Sequence, residues 1–180
     1  WPQGLCDMLA ARDFRVIRFD NRDAGQSTWM EQLGPPAWGR LGWDMIRRRR
    51  TRSSYTLWDM ADDTLGLLDS LGLERVHLAG MSMGGMIAQC LALRHPERLS
   101  SLISISSTTG SRQVPSGKPR VLWEIMKPRP ADPKGAISHT VRMLRAIGSP
   151  SYPIPLAQLE ALAIQYTARG YNPTGTGRQA

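Results

Sequence analysis

Apolar positions along the first half of the chain switch between helical and alternating spacing, which predicts an α/β fold with a parallel sheet flanked by helices. Residues Leu5 to Ala11 read as the end of a helix, closed by the turn-like pair Arg12-Asp13. Phe14-Arg15-Val16-Ile17-Arg18-Phe19 is short and rich in aromatic and β-branched residues, and predicts a first strand. It runs into the turn-forming cluster Asp20-Asn21-Arg22-Asp23-Ala24-Gly25. From about Trp29 to Ser54 the pattern is irregular, interrupted by Pro35 and Pro36.

Periodicity then returns. Leu57, Met60, Ala61, Leu65, Leu68 and Leu71 recur on one face of a helix that Thr56 is placed to cap, with Asp59 three residues on and Gly72 as the stop. Asp59, Asp62 and Asp63 fall in its opening turns, where the helix dipole favours negative charge. Arg75 to Ala79 predicts a second strand and Leu102 to Ile105 a third. Between them a helix runs through Met86, Ile87, Leu91 and Leu93 until Pro96 stops it.

After Thr109 the chain reads as helices separated by proline-rich breaks. One spans Pro119 to Met126. A second takes Asp132 as cap and Pro133 in its first turn, with Ile137, Val141, Leu144 and Ile147 on one face. A third starts at Pro155, carries Leu156, Leu159, Ala163 and Tyr166, and ends at Gly170. The division is therefore residues 1–110 as a sheet-and-helix core and 111–180 as a helical cap or lid.

Composition narrows the class. At 180 residues, 41% hydrophobic and 21% charged, the chain is long enough for one buried domain and reads as globular. No apolar run approaches the ~18 residues of a membrane helix, and the N-terminus carries no signal-peptide pattern, so no membrane partner and a cytoplasmic location are expected. Two cysteines, Cys6 and Cys90, are too few for a disulfide framework and lack metal-ligand spacing. The net charge of +8 is concentrated at Arg47, Arg48, Arg49, Arg50 and Arg52. No aromatic residues interleave with that run and no nucleic-acid module surrounds it, so it reads as a solvated face and no nucleic acid is expected.

One motif carries chemistry. Gly80-Met81-Ser82-Met83-Gly84 fits G-x-S-x-G, and it follows a predicted strand and opens a predicted helix. In such a nucleophile elbow the serine stands on a sharp, strained turn, where the chain passes close to itself and glycines at the flanking positions, here Gly80 and Gly84, avoid collisions. The Ser82 hydroxyl is expected to project into a cavity at the C-terminal edge of the sheet as the nucleophile. The backbone amide of Met83 is expected to face the oxyanion that forms when Ser82 attacks a carbonyl.

The chain resembles bacterial α/β-hydrolases of the esterase and lactonase type, including the aclacinomycin methylesterase-like group. Four segments carry the resemblance: Phe19 to Ser27, Tyr55 to Asp63, the Ser82 elbow, and Ser106-Ser107-Thr108-Thr109-Gly110. The stretch Arg169-Gly170-Tyr171-Asn172-Pro173 fits the same cap. The resemblance implies a partial α/β-hydrolase fold with a helical cap, no metal and no organic cofactor, and a small-molecule ester or lactone as substrate. It also implies a His-Gly turn ahead of Trp1 that supplies a second oxyanion donor, an acid and a histidine beyond Ala180, and a strand between the first two seen here. The chain is accordingly expected to be a fragment, inactive alone.

The three histidines present do not supply the base. His77 lies ~16 Å back along the strand and His95 ~20 Å along the helix, against the ~3 Å a nucleophile and its base require. His139 falls in the cap, where nothing marks it as a base. Trp123, Leu144 and Tyr166 are candidates to roof an apolar pocket. Serine at the elbow separates this chain from haloalkane dehalogenases and epoxide hydrolases, which use aspartate there. Esterase, lactonase, perhydrolase and carbon–carbon bond hydrolase remain open, as does a non-catalytic binding protein on the same fold. Oligomeric state is not legible.

Overall fold

The computed structural model describes residues 1–35, 53–111, 113–114 and 117–179. The arginine run at 47–50 and 52 lies outside the described residues. The centre of the fold is a strand–helix–strand unit: β1 (Val76–Met81), α3 (Met83–Arg94) and β2 (Leu99–Ile105). It is preceded by α1 (Gln3–Ala10) and α2 (Leu57–Ser70) and followed by α4 (Pro119–Met126), α5 (Pro133–Ile147), α6 (Leu156–Arg169) and α7 (Pro173–Arg178). The two strands pair in parallel, from Val76 with Leu99 to Met81 with Ile105.

Helix α2 begins as its sequence dictates. The Thr56 hydroxyl accepts the Asp59 N–H at 3.3 Å while the Asp59 carboxylate accepts the Thr56 N–H at 2.6 Å, a complete capping box. Gly72, at φ +64°, ends it in the left-handed conformation that glycine adopts without penalty. Its buried face, Met60, Ala61 and Leu68, packs with Ile87 and Leu91 of α3, Leu99 of β2 and Tyr55 in one core. The other face binds neighbours through the acidic residues. Asp63 receives a bidentate Arg22 guanidinium at 2.6 Å, and Asp62 takes Arg94, which also lies over the Trp58 ring.

The predicted strand at Phe14–Phe19 does not form. Among the described residues the sheet has two strands, and residues 14–19 make no ladder hydrogen bonds. Propensity favours a strand there, but a strand exists only when a neighbour satisfies its backbone groups. Phe14 meets His77 of β1 edge-on, with ring centroids 5.9 Å apart, yet Phe14, Ile17 and Phe19 stay exposed. Among the described residues the sheet is also bare on one side. Val76, Leu78 and Gly80 are shielded on the α3 side, while His77, Ala79 and Met81 face outward and Met81 is 55% exposed.

Helices α5 and α6 form a second, smaller core of Val141, Leu159 and Ala163, with Ile137 and Leu144 beside it. Asp132 caps α5 through the Gly135 N–H at 2.7 Å. The short helix α7 has no counterpart in the sequence reading, and it ties the helical block to the N-terminal loop. Its Arg178 inserts a buried guanidinium against the fully buried Asp23 carboxylate, at 2.8 and 2.5 Å, and gives a third bond to the Gly34 carbonyl at 2.7 Å. Asp23 also accepts the Tyr55 hydroxyl at 2.9 Å and the Met30 N–H at 2.8 Å. Alongside, Arg169 pairs with Asp20 at 2.8 Å, and Gly170 lies so close to Gly25 that a Cβ would overlap its carbonyl.

Burial alone would raise the Asp23 carboxyl, but Arg178, the Met30 N–H and the Tyr55 hydroxyl outweigh it and hold the group below its ordinary 3.8. Burial and the Asp23 charge push the Tyr55 hydroxyl upward. Removing one partner of a buried pair strands the other charge, so Arg178→Met is expected to cost about 3–5 kcal/mol in urea denaturation at neutral pH. Arg94→Ala, which breaks an exposed pair, is expected to cost about 1 kcal/mol or less. Because the folded Asp23 value lies below 3.8, its contribution is complete above that pH and drains as pH falls through the folded value. Asp23→Asn should therefore flatten the acid limb of a stability-against-pH curve; an unchanged limb would contradict the assignment.

Candidate active site

The chain turns from β1 into α3 at Ser82. Residue 82 holds φ +54° and ψ −122°, a region that costs a non-glycine residue of order 1–3 kcal/mol and persists only where surrounding contacts enforce it. Those contacts are visible. The Ser82 N–H donates to the Ile105 carbonyl at the end of β2 at 2.9 Å. Its carbonyl accepts the N–H groups of Gly85 at 2.9 Å and Met86 at 3.2 Å, which start the helix. The Ser107 hydroxyl donates to the same carbonyl at 2.8 Å. The Ser82 side chain caps nothing and is exposed. Met83 opens α3, where the first N–H groups have no intrahelical acceptor.

The glycines divide unequally. A Cβ on Gly80 would overlap the Gly84 carbonyl and stand 2.6 Å from the Gly85 nitrogen, so the close crossing of strand and helix requires glycine there. The expectation of the same constraint at Gly84 is not met: a Cβ there would meet nothing within 4 Å. The second tight position is Gly85, whose added Cβ would lie 2.6 Å from the Ser107 Cβ and 2.9 Å from the Ser104 hydroxyl. The motif spacing pointed to Gly84 because it counts from the serine alone, while the obstacle comes from β2.

Ser82 stands on open surface. It lines neither the hollow beside Phe19, Asn21, Arg22, Met30 and Leu67 nor the groove between α5 and α6. Two of the histidines are engaged in contacts of their own. His77 Nδ1 lies 2.8 Å from the Ser101 hydroxyl and His95 Nδ1 3.2 Å from Glu97. His139 is 3% exposed, with both ring nitrogens unpartnered among the described residues. Burial, with Arg129 and Arg142 nearby, lowers its pKa. Of the three roof candidates, Leu144 packs in the helical core, while Trp123 is 66% and Tyr166 51% exposed. No group of three His, Cys, Asp or Glu suited to a metal is found among the described residues.

Two features escape sequence reasoning: the role of Ser107 at this turn, and, elsewhere in the fold, the burial of Asp23, whose segment reads as a turn. The signal for Ser107 was its position just past a strand that must abut the elbow in a strand–helix–strand unit.

The glycine geometry sets an ordering for stability. Gly80→Ala and Gly85→Ala should each destabilise by about 1–3 kcal/mol, the usual cost of overpacking against a fixed backbone. Gly84→Ala should be neutral or stabilising by up to about 1 kcal/mol from helix propensity. Thermal melts of the three variants check this, and a Gly84→Ala loss as large as that of Gly80→Ala would refute it.

Residues 1–132 match the family described as alpha/beta hydrolase fold. Rhodomycin D methylesterase DauP of Streptomyces sp. (strain C5) is 35% identical over 102 residues, 57% of this chain and 28% of that protein. RutD of Pantoea ananatis (strain LMG 20103), provisionally named a carbamate hydrolase, is 44% identical over 109 residues, 61% of this chain and 32% of that protein. Among solved structures, the enol-lactonase from Burkholderia xenovorans LB400 superposes with a TM-score of 0.56 at 23% identity, covering 96% of this chain and 57% of that one. The chain spans less than a third of these two curated relatives. The strand–turn–helix at Ser82 and a family match over 132 of 180 residues lead to one assignment: this chain belongs to the alpha/beta hydrolase fold family.

Proposed function

We propose that this chain is the nucleophile-bearing part of a serine hydrolase that cleaves carboxylic esters or lactones. The observation that carries the reading is the backbone of Ser82: a strained φ of +54° held by four hydrogen bonds, with the side chain left free of any of them. A protein gains nothing in stability from such a residue, and strain of this kind is characteristic of functional sites. The Ser82 Oγ attacks the substrate carbonyl carbon, and the Met83 N–H receives the negative charge that develops on its oxygen. The alcohol leaves, the acyl group stays on Ser82 as an ester, and water releases the acid.

The hydroxyl needs a base, but His77 and His95 sit in other contacts and His139 is buried within α5. In this reading the histidine, its acid partner, the second oxyanion donor and the pocket walls belong to a longer protein, of which residues 1–110 form core and 111–180 form cap. That accords with the share of the curated relatives that the chain spans. The names of the relatives support an ester or lactone substrate, with a carbamate as the neighbouring chemistry. Free Cys6 and Cys90 fit a reducing, cytoplasmic setting. No helix among the described residues is long and apolar enough to cross a membrane.

Loss of triad members costs about a million-fold in turnover in serine hydrolases. The 180-residue chain is therefore expected to hydrolyse p-nitrophenyl esters at the rate of buffer alone. The full-length protein should turn them over, with Ser82→Ala falling about a million-fold. Full activity in Ser82→Ala would end the nucleophile assignment, and rapid turnover by the short chain would end the requirement for further residues. Peracid formation in place of ester cleavage would move the reaction to a perhydrolase.

A further inference from the structure

The carbonyl of Ser82 has a third partner that an elbow does not need in order to start a helix. The N–H groups of Gly85 and Met86 already reach it, at 2.9 and 3.2 Å, as in any first helical turn. The Ser107 hydroxyl adds a bond from another element, at 2.8 Å. Ser107 is brought back toward the elbow by Ser106, a non-glycine residue at φ +47°, so the chain accepts an unfavourable backbone angle immediately before the residue that makes the contact.

The surroundings fix this hydroxyl in place. Ser104 and Ser107 flank the α-carbon of Gly85, leaving no room for a Cβ there, and the Ser104 hydroxyl is held by the Gln89 amide at 3.0 Å from the second turn of α3. Residue 82 is thus tied to the end of β2 on both sides of its α-carbon. Its N–H is held by the Ile105 carbonyl and its C=O by the Ser107 hydroxyl. Those two bonds govern the φ and ψ of Ser82, and hence the direction in which Oγ leaves the turn.

We propose that Ser107 is a positioning residue for the nucleophile: it fixes the aim of the Ser82 hydroxyl through the Ser82 carbonyl and touches no substrate. The inference rests on Ser82 being the nucleophile. It assigns to the segment after β2 a role in turnover rather than in substrate binding. A misaimed nucleophile slows the chemical step and leaves ground-state binding as it was.

The test uses the full-length protein with a p-nitrophenyl ester. Ser107→Ala should lower kcat about tenfold, the effect of one lost hydrogen bond on a barrier, with KM within about twofold. Ser107→Thr, which keeps the hydroxyl, should recover most of the rate, and both variants should melt close to wild type. Should Ser107→Ala fail to fold, Ser107→Cys, nearly isosteric and a weak donor, replaces it with the same expectation. Wild-type kcat in the variant lacking the hydroxyl, alongside a dead Ser82→Ala, overturns the positioning role and leaves the nucleophile standing. A loss confined to KM, or one that threonine does not repair, overturns it equally. Turnover that survives Ser82→Ala, or a wild-type protein that takes no fluorophosphonate at Ser82, removes the nucleophile reading and this inference with it.

Discussion

The buried carboxylate of Asp23 is the interaction on which the arrangement of the chain depends. It joins three stretches that share no secondary structure: the loop after residue 19, the residue that leads into α2, and the last helix. A charge with no solvent exposure is tolerable only when its lone pairs are filled, and Asp23 fills them with a guanidinium, a phenol and a backbone amide. The arrangement is therefore all-or-none. The helical block is docked through a polar bond, and around it the packing requires glycine at 170 and 175, where a Cβ would collide with Gly25 and with Asn172 and Asp23.

The elbow is built on the opposite principle. Asp23 is enclosed and satisfied, whereas Ser82 has a satisfied backbone and an exposed, unbonded side chain. A parallel strand–helix–strand unit makes this possible, because β2 lies beside β1 and delivers both an acceptor and a donor to the turn. The fold of the family supplies the scaffold, and the residues just past β2 make the turn hold still.

Local features were legible in the sequence. Thr56 with Asp59, Asp132 as the cap of α5, Gly72 and Gly80 all act within a few residues, so composition and spacing reveal them. What escaped is non-local. The strand expected at 14–19 needs a partner that propensity cannot supply. The Asp23 contacts to Asn172 and Arg178 span 149 and 155 residues, and an aspartate at φ +65° in a turn-rich cluster reads as a turn former and no more. On α5 the apolar spacing marked Val141 but gave no sign that His139 and Thr140 would be buried as well. The apolar residues of α4 show the same limit. Leu122, Trp123 and Ile125 point outward while Glu124 and Lys127 pair on the sheltered side, so hydrophobicity alone misplaces the inner face.

The two-stranded sheet has a practical bearing on anyone who purifies this polypeptide. Among the described residues the outer edges of β1 and β2 carry free backbone donors and acceptors, bordered by Met81, Ile103 and Ile105. Parallel sheets in nature are sheathed on both faces, and an unsheathed edge recruits whatever extended peptide drifts past, including sister molecules. Association through that ribbon of backbone amides is the expected behaviour of the polypeptide in concentrated solution.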